Sequence, residues 1–166
     1  MPNWCSNNFT INGDVETLRP LWEATQQEDN PHFLEAIKSI GEWEYGNAVE
    51  AWGTKWDVNT DGMEFEDHGD GTATLHGFFD SAWSPPVAAF EQLAQDWDSC
   101  YIELTYFEPG MAFCGEWNSE GLDSEYEIDP DDFDSVPEHL REEFAIEDWF
   151  DSGEDVYEDE LELKEE

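Results

Sequence analysis

Alternation of apolar and polar side chains marks the first element of the chain. From Trp4 to Ile11, Phe9 and Ile11 fall on one side and Ser6, Asn8 and Thr10 on the other, the period-two pattern of a half-buried strand. Asn12-Gly13 closes it. The pattern then turns helical from near Asp14 to Gln27, with Leu18, Leu21 and Trp22 on one side and Pro20 obscuring the start. A second helix has clearer punctuation: Asn30 as cap, Pro31 at the first helical position, Phe33, Ile37 and Ile40 at helical spacing, and Gly41 as the stop. After a stretch containing Trp and Gly, Lys55 to Val58 and Thr72 to Phe79 read as strands joined by an acidic, Gly-rich turn, able to pair as a hairpin. Pro85-Pro86 opens a helix to about Trp97 that buries Val87, Phe90, Leu93 and Ala94, and Tyr101 to Phe107 alternates as a further strand.

In order, these elements are strand, helix, extra helix, strand, strand, helix, strand. The expected class is α+β, a ferredoxin-like split β-α-β sheet over residues 1–110 with a helical insertion at about 28–51. The two main helices cover one sheet face, which leaves Trp4, Thr10, Tyr101 and Phe107 on the other in need of a cover. Residues 111–166 can supply it as an acidic extension packed on or beside the sheet. Phe113 to Trp117 and Glu125 to Ile128 read as a hairpin around Glu120-Gly121. A capping box from Ser135 to Glu138, with Pro137 in the first turn, starts a helix expected to stop near Ser152-Gly153. That helix is not cleanly amphipathic: Leu140 and Phe144 are four apart, but Glu143 and Glu147 fall inside the arc that Ile146 and Phe150 would complete. The terminal EDVYEDELELKEE has few apolar anchors and reads as a frayed end or tail.

Charge changes the functional picture more than the fold. Among 166 residues, 44 are Asp or Glu and 5 are Lys or Arg, a formal charge of -39, while 39% hydrophobic residues and nine Trp provide for a folded core. Binding to DNA or RNA requires cations that displace condensed counterions, so direct nucleic-acid binding is excluded. Anionic membrane surfaces repel the chain, and it has no apolar run of about 18 residues to cross a bilayer. MPNWCSNNF lacks the basic and apolar regions of a secretion signal, so the expected location is the bacterial cytosol. Cys5, Cys100 and Cys114, odd in number and far apart, fit reduced, packed thiols. A strongly basic partner is what the charge permits.

Four short segments resemble a known family: MPNWCSN at the N-terminus, WGTKWD at 52–57, FDSAWSPP at 79–86 and EPGMAFCG at 108–115. Together they look like the YubB-type ferredoxin-like family of phage and plasmid proteins. The resemblance covers roughly residues 1–115. It implies a ferredoxin-like fold and a mobile-element origin, and transfers no catalytic activity, cofactor or substrate. This chain departs from that pattern in its acidity, above all after Gly115.

Within these segments Trp52, Lys55, Trp56, Asp57, Trp83 and Glu108 could line a ligand pocket or serve as scaffold, the reading that Trp packing and Gly and Pro corners favour. Asp57, Asn59, Asp61 and Gly62 match the opening of a calcium loop, but its closing position is His68. A hairpin turn is the simpler reading. His32, His68, His76 and His139 have no metal-ligand spacing, and no nucleophile motif or phosphate-cradling Gly loop is present. The expectation is therefore a protein that is not an enzyme and needs no cofactor.

The remaining signal is where the acids lie. Residues 1–60 carry ten, 61–110 carry eleven and 111–166 carry twenty-three, an asymmetry that favours a designated surface over general solubility. Duplex DNA presents about one phosphate per 1.7 Å of axis, and a helix rising about 1.5 Å per residue can approach that density with carboxylates. Asp129, Asp131, Asp132, Asp134, Glu138, Glu142, Glu143, Glu147, Asp148, Asp151, Glu154 and Asp155 are the candidate phosphate substitutes, with Trp149 and Phe150 as an apolar anchor. The leading expectation is a phage- or plasmid-encoded DNA mimic that occupies the groove of a basic DNA- or RNA-binding host protein, such as a restriction or CRISPR component. A homodimer would double the charged length. The alternatives are an adaptor or inhibitor using Trp4, Tyr101 and Phe107 on the sheet face, or an acidic solubility or cation-binding module.

Overall fold

In the computed structural model, residues 3–151 are described. The alternation that begins at Trp4 continues to Asp14 as β1 (Trp4–Asp14), with Cys5, Asn7, Phe9 and Ile11 buried on one face. Its neighbours are β3 (Thr72–Ala82) and β4 (Tyr101–Glu108), both antiparallel to it. β2 (Met63–Asp67) pairs with β3, and β5 (Phe113–Asn118) and β6 (Asp123–Glu127) extend the sheet beyond β4, giving the order β2-β3-β1-β4-β5-β6. Helices α1 (Val15–Thr25) and α4 (Val87–Asp96) follow β1 and β3 in the chain and bury Leu18, Leu21, Ala89, Phe90 and Leu93. The first four strands and these two helices make the ferredoxin-like split β-α-β, in which each helix crosses the sheet so that the next strand does not pair with the last. Pro20 lies inside α1 and does not divide it.

The insertion differs from the expected helix over 30–41. Only α2 (Leu34–Ile37) forms there, and a further helix, α3 (Tyr45–Trp52), occupies the stretch containing Trp and Gly to which no element is assigned from the sequence. Asn30 and Pro31 do not start α2. Asp57 does so from across the fold: its Oδ1 accepts the Leu34 N–H at 2.8 Å and its Oδ2 the Glu35 N–H at 3.0 Å. Glu35 then accepts the Ser39 hydroxyl and the Ile40 and Gly41 amides, and these bonds prevail over partial burial to hold its carboxyl below the usual range. α3 ends at Gly53 with φ +88°, where a Cβ would lie 3.2 Å from the Ala88 nitrogen and 3.3 Å from the Pro85 oxygen.

The strand expected at Lys55 to Val58 is also not formed. Side-chain bonds hold this segment instead, from the Thr54 hydroxyl to the Ala82 carbonyl at 2.8 Å and from Asp57 to α2. β2 takes its place in the hairpin, and residues 68–71 make the turn. The expected single helix from Ser135 is interrupted as well. A 3₁₀ turn spans Phe133–Ser135, Pro137 precedes α5 (Glu138–Glu143), and the chain breaks at Phe144 and Ala145, with Ala145 at φ +49°, before helix resumes at 146–151. A straight helix would have carried Glu143 and Glu147 into the apolar arc. The break instead lets Leu140 and Ile146 share one buried cluster while those acids stay outside.

Two apolar clusters result. The larger lies between the sheet and the helices, around Phe9, Phe33, Phe79 and Phe90, with Leu18, Leu75, Ile102 and Leu104 fully buried. The smaller lies on the opposite face and joins Phe107, Cys114, Ile128, Val136, Leu140 and Ile146.

Candidate functional site

The smaller cluster is what holds the acidic segment in place. Phe107 points away from α1 and α4, and the rings of Phe144, Trp149 and Phe150 gather on it at 5.9, 6.0 and 6.3 Å. Ile128 donates its N–H to the Ala112 carbonyl at 2.8 Å and turns the chain onto this face. Phe107 is thus 3% exposed, which removes it from the aromatic sheet face expected to contact a partner. Tyr101 is half-buried, with its hydroxyl donating to Glu103 at 3.2 Å, and Trp4 alone of that trio remains strongly exposed, at 46%.

All ten candidate acids among the described residues are exposed. Asp129, Asp131 and Asp132 share the turn after β6: Asp129 Oδ1 accepts the Asp131 N–H at 2.9 Å, and the Asp129 carbonyl accepts the Asp132 N–H at 2.8 Å. Asp134 and Glu147 converge on Arg141, at 3.8 and 2.9 Å from its Nη1. Glu138, Glu142, Glu147 and Asp148 line a shallow groove of about 380 Å³ beside Arg141. Glu143 faces the sheet and accepts the Thr105 hydroxyl, so it stands apart from the outward set. Asp151 is exposed at the last described position, while Glu154 and Asp155 lie outside the described residues. The surface is therefore two linked patches, a turn and a broken helix, rather than one straight row.

Two residues that charge counting passed over bind this surface together. Arg141, the single Lys or Arg between 129 and 151, also donates from Nε to the Val136 carbonyl at 3.0 Å. His139 Nε2 sits 3.0 Å from Glu116 Oε2 and joins α5 to β5. A lone cation within an acidic run was the available signal for Arg141. The His139 contact depends on the tertiary fold.

The four family-like segments meet at the end of the sheet where β1 begins and β3 and β4 end. Several of their polar residues are structural. Glu108 is completely buried, its Oε1 accepting the Gly110 N–H at 2.6 Å and its Oε2 the Met111 N–H at 2.9 Å, which pins the turn into β5. Asn7 Nδ2 donates to Ser81 Oγ at 2.9 Å, Ser81 donates to the Ser84 carbonyl at 2.7 Å, and Trp52 Nε1 donates to the Lys38 carbonyl at 2.8 Å. Burial pushes the nearby Cys5 thiol far above its ordinary range, against the Ser81 hydrogen bond that lowers it. Asp57 is committed to capping α2, so it is not disposed as a calcium ligand. Among the described residues, no group of three His, Cys, Asp or Glu side chains is placed to hold a metal ion.

The indoles of these segments behave differently from the acids. Trp4, Trp56 and Trp83 are 46, 38 and 45% exposed. Trp83 has φ +72°, a left-handed conformation that costs a bulky residue on the order of 1–3 kcal/mol. Its N–H donates to the Asn3 carbonyl at 2.8 Å, which helps to fix it there.

Comparison with protein families agrees with this fold. A family model described as the ferredoxin-like domain in Api92-like protein matches residues 51–150, a span that crosses from the sheet into the acidic segment. Among solved structures, the crystal structure of a protein api92 from Yersinia pseudotuberculosis is similar over 51% of this chain and 30% of that chain, at 20% identity and a TM-score of 0.33. This chain thus corresponds to less than a third of that protein's length. No curated protein matches. Among the described residues, no helix is long and apolar enough to cross a membrane.

Proposed function

The chain belongs to the family of the ferredoxin-like domain in Api92-like protein, and from that premise we propose that it is a binding protein, not an enzyme, whose acidic segment imitates the phosphate backbone of DNA. Its partner is a basic DNA- or RNA-binding host protein, such as a restriction-modification or CRISPR component, and it acts as a stoichiometric inhibitor in the bacterial cytosol. The YubB-type resemblance and the phage or plasmid origin it implies belong to this proposal.

One observation carries the reading. The acids of 129–151 are mounted on a segment with its own buried cluster, Val136, Leu140 and Ile146 against Phe107 and Cys114, and are exposed around it. A solubility tail needs no such support, because solvated charge requires no fixed geometry. A phosphate mimic does, since charge-assisted bonds to Arg and Lys depend on carboxylates already in position. Arg141 and the orientation of Glu143 reduce the outward set without changing its sign.

The test is capture from a nuclease-treated bacterial lysate on the immobilised protein. The expected catch is one or a few nucleic-acid-binding proteins, released by salt and displaced by duplex DNA. Replacing Asp131, Asp132, Asp134, Glu138, Glu142 and Asp148 by their amides should weaken that binding roughly a hundredfold. Unchanged binding by the six-fold variant would overturn the reading.

A further inference from the structure

The exposed indoles at the family-segment end of the sheet form a second feature of the same molecule. Trp4 and Trp56 lie with ring centroids 6.3 Å apart and planes at 42°. Lys55 Nζ sits 4.4 Å from the centroid of the Trp56 ring, within the range of a cation–π contact. In a chain with 44 acids and 5 basic residues, this ammonium rests on an indole, and none of the ion pairs among the described residues includes it. The Trp56 face is therefore already serving as a cation acceptor.

The patch also shares a face of the sheet with the acidic segment. Trp4 and Ser6 stand two residues apart on the open face of β1, and Ser6 is the register partner of Phe107 on β4. Phe107 in turn meets Trp149 edge-on at 6.0 Å, and Trp149 is 44% exposed. The Trp4–Trp56 pair and the Phe107–Trp149 pair thus share one face of the sheet, with Ser6 between them.

We propose that Trp4 and Trp56 form a receiving site for a guanidinium or ammonium side chain of the partner, which enters by displacing Lys55 from the indole. The occupant is an Arg- or Lys-bearing protein segment, chosen by charge: a -39 chain draws basic surfaces toward it, and indoles are where arginine side chains gain most from stacking once desolvated. This inference deepens the inhibitor reading and rests on it for the identity of the partner, but the receiving site itself can be tested apart from it.

The probe is a blocked peptide of four arginines separated by glycines, titrated into the 166-residue protein while the indole N–H resonances are followed by NMR, with Trp4→Phe and Trp56→Phe giving the assignments. The Trp4 and Trp56 signals should shift saturably, and Trp56→Ala should weaken the peptide roughly threefold to tenfold. Lys55→Gln should tighten it, and by more than Lys38→Gln, which removes the same charge elsewhere. Indole signals that stay still, or equal effects of the two lysine variants, would overturn the site and leave long-range attraction as the cause. The six-fold amide variant separates this from the mimic reading. Indole shifts that persist there, with lysate binding unchanged, keep the receiving site and remove the mimic; lost shifts in the wild type with intact displacement by DNA do the reverse.

Discussion

The two faces of the one sheet are stabilised very differently. Under α1 and α4, Phe9, Phe33, Phe79 and Phe90 touch one another at 5.2 to 6.1 Å, and long, uninterrupted helices close over them. On the opposite face six buried residues hold a segment of broken helix, and that segment carries ten acids and one arginine between 129 and 151. The deep core can tolerate charge because its acids are scattered over the outside of a well-packed body. The shallow one supports a dense charge on a smaller cluster, so the surface proposed to meet a partner is also the part expected to open first.

The contrast is sharpest when one residue is removed from each cluster. Phe33→Ala should cost about 3–5 kcal/mol of global stability, seen as a lower urea midpoint by tryptophan fluorescence. Leu140→Ala deletes a side chain that is just as buried, yet its effect should be local: faster amide exchange over 133–151 with β1 and β4 little changed. If β1 and β4 exchange faster to the same degree, the faces form one cooperative unit and the comparison fails.

Cys114 lies at the seam, buried on β5 within the smaller cluster. Burial, with the Glu116 and Glu125 charges adding to it, pushes its thiol up to about 11. Because the folded thiol loses its proton later than the unfolded one, its contribution is complete below the ordinary thiol pKa and disappears as pH rises through about 11. That contribution is on the order of 2 kcal/mol. Urea midpoints should therefore fall less steeply from pH 9 to 11 in Cys114→Ala than in the parent; equal slopes would mean that the thiol does not feel the burial the packing gives it.

What could be read in advance followed the range of the interactions involved. β1, β4 and α4 were legible because alternation and the Pro85-Pro86 start are local signals, and the β5–β6 hairpin because Glu120-Gly121 marks its turn. α2 was misread because its cap, Asp57, comes from 23 residues beyond Leu34, and a cap supplied at that distance leaves Asn30-Pro31 looking like the start. The same bonds took Lys55 to Val58 out of the sheet. For the candidate site, counting acids located the charged segment. It could not show that Glu143 turns toward Thr105 or that Asp134 and Glu147 share Arg141, because the first depends on how α5 docks on β4 and the second draws together residues from before α5 and from beyond the break at Ala145.

The smallest expected effect bears on the charge itself. Raising sodium chloride from 0.01 to 0.5 M shortens the Debye length from about 30 Å to a few Å, which weakens repulsion among the acids and attraction at Arg141 together. The acids of 129–151 outnumber the one arginine ten to one, so repulsion should dominate. Amide protection over 138–151 should then rise several-fold with salt, while β1 and β3, whose protection comes from the larger cluster, change less than about twofold. Protection that falls with salt would reverse the argument, because the contacts of Arg141 with Asp134 and Glu147, and of His139 with Glu116, would then be what holds the segment on the sheet. In that case Arg141→Gln should release it at low salt. Under the repulsion account the same substitution costs little once salt is high, since the apolar contacts to Phe107 remain.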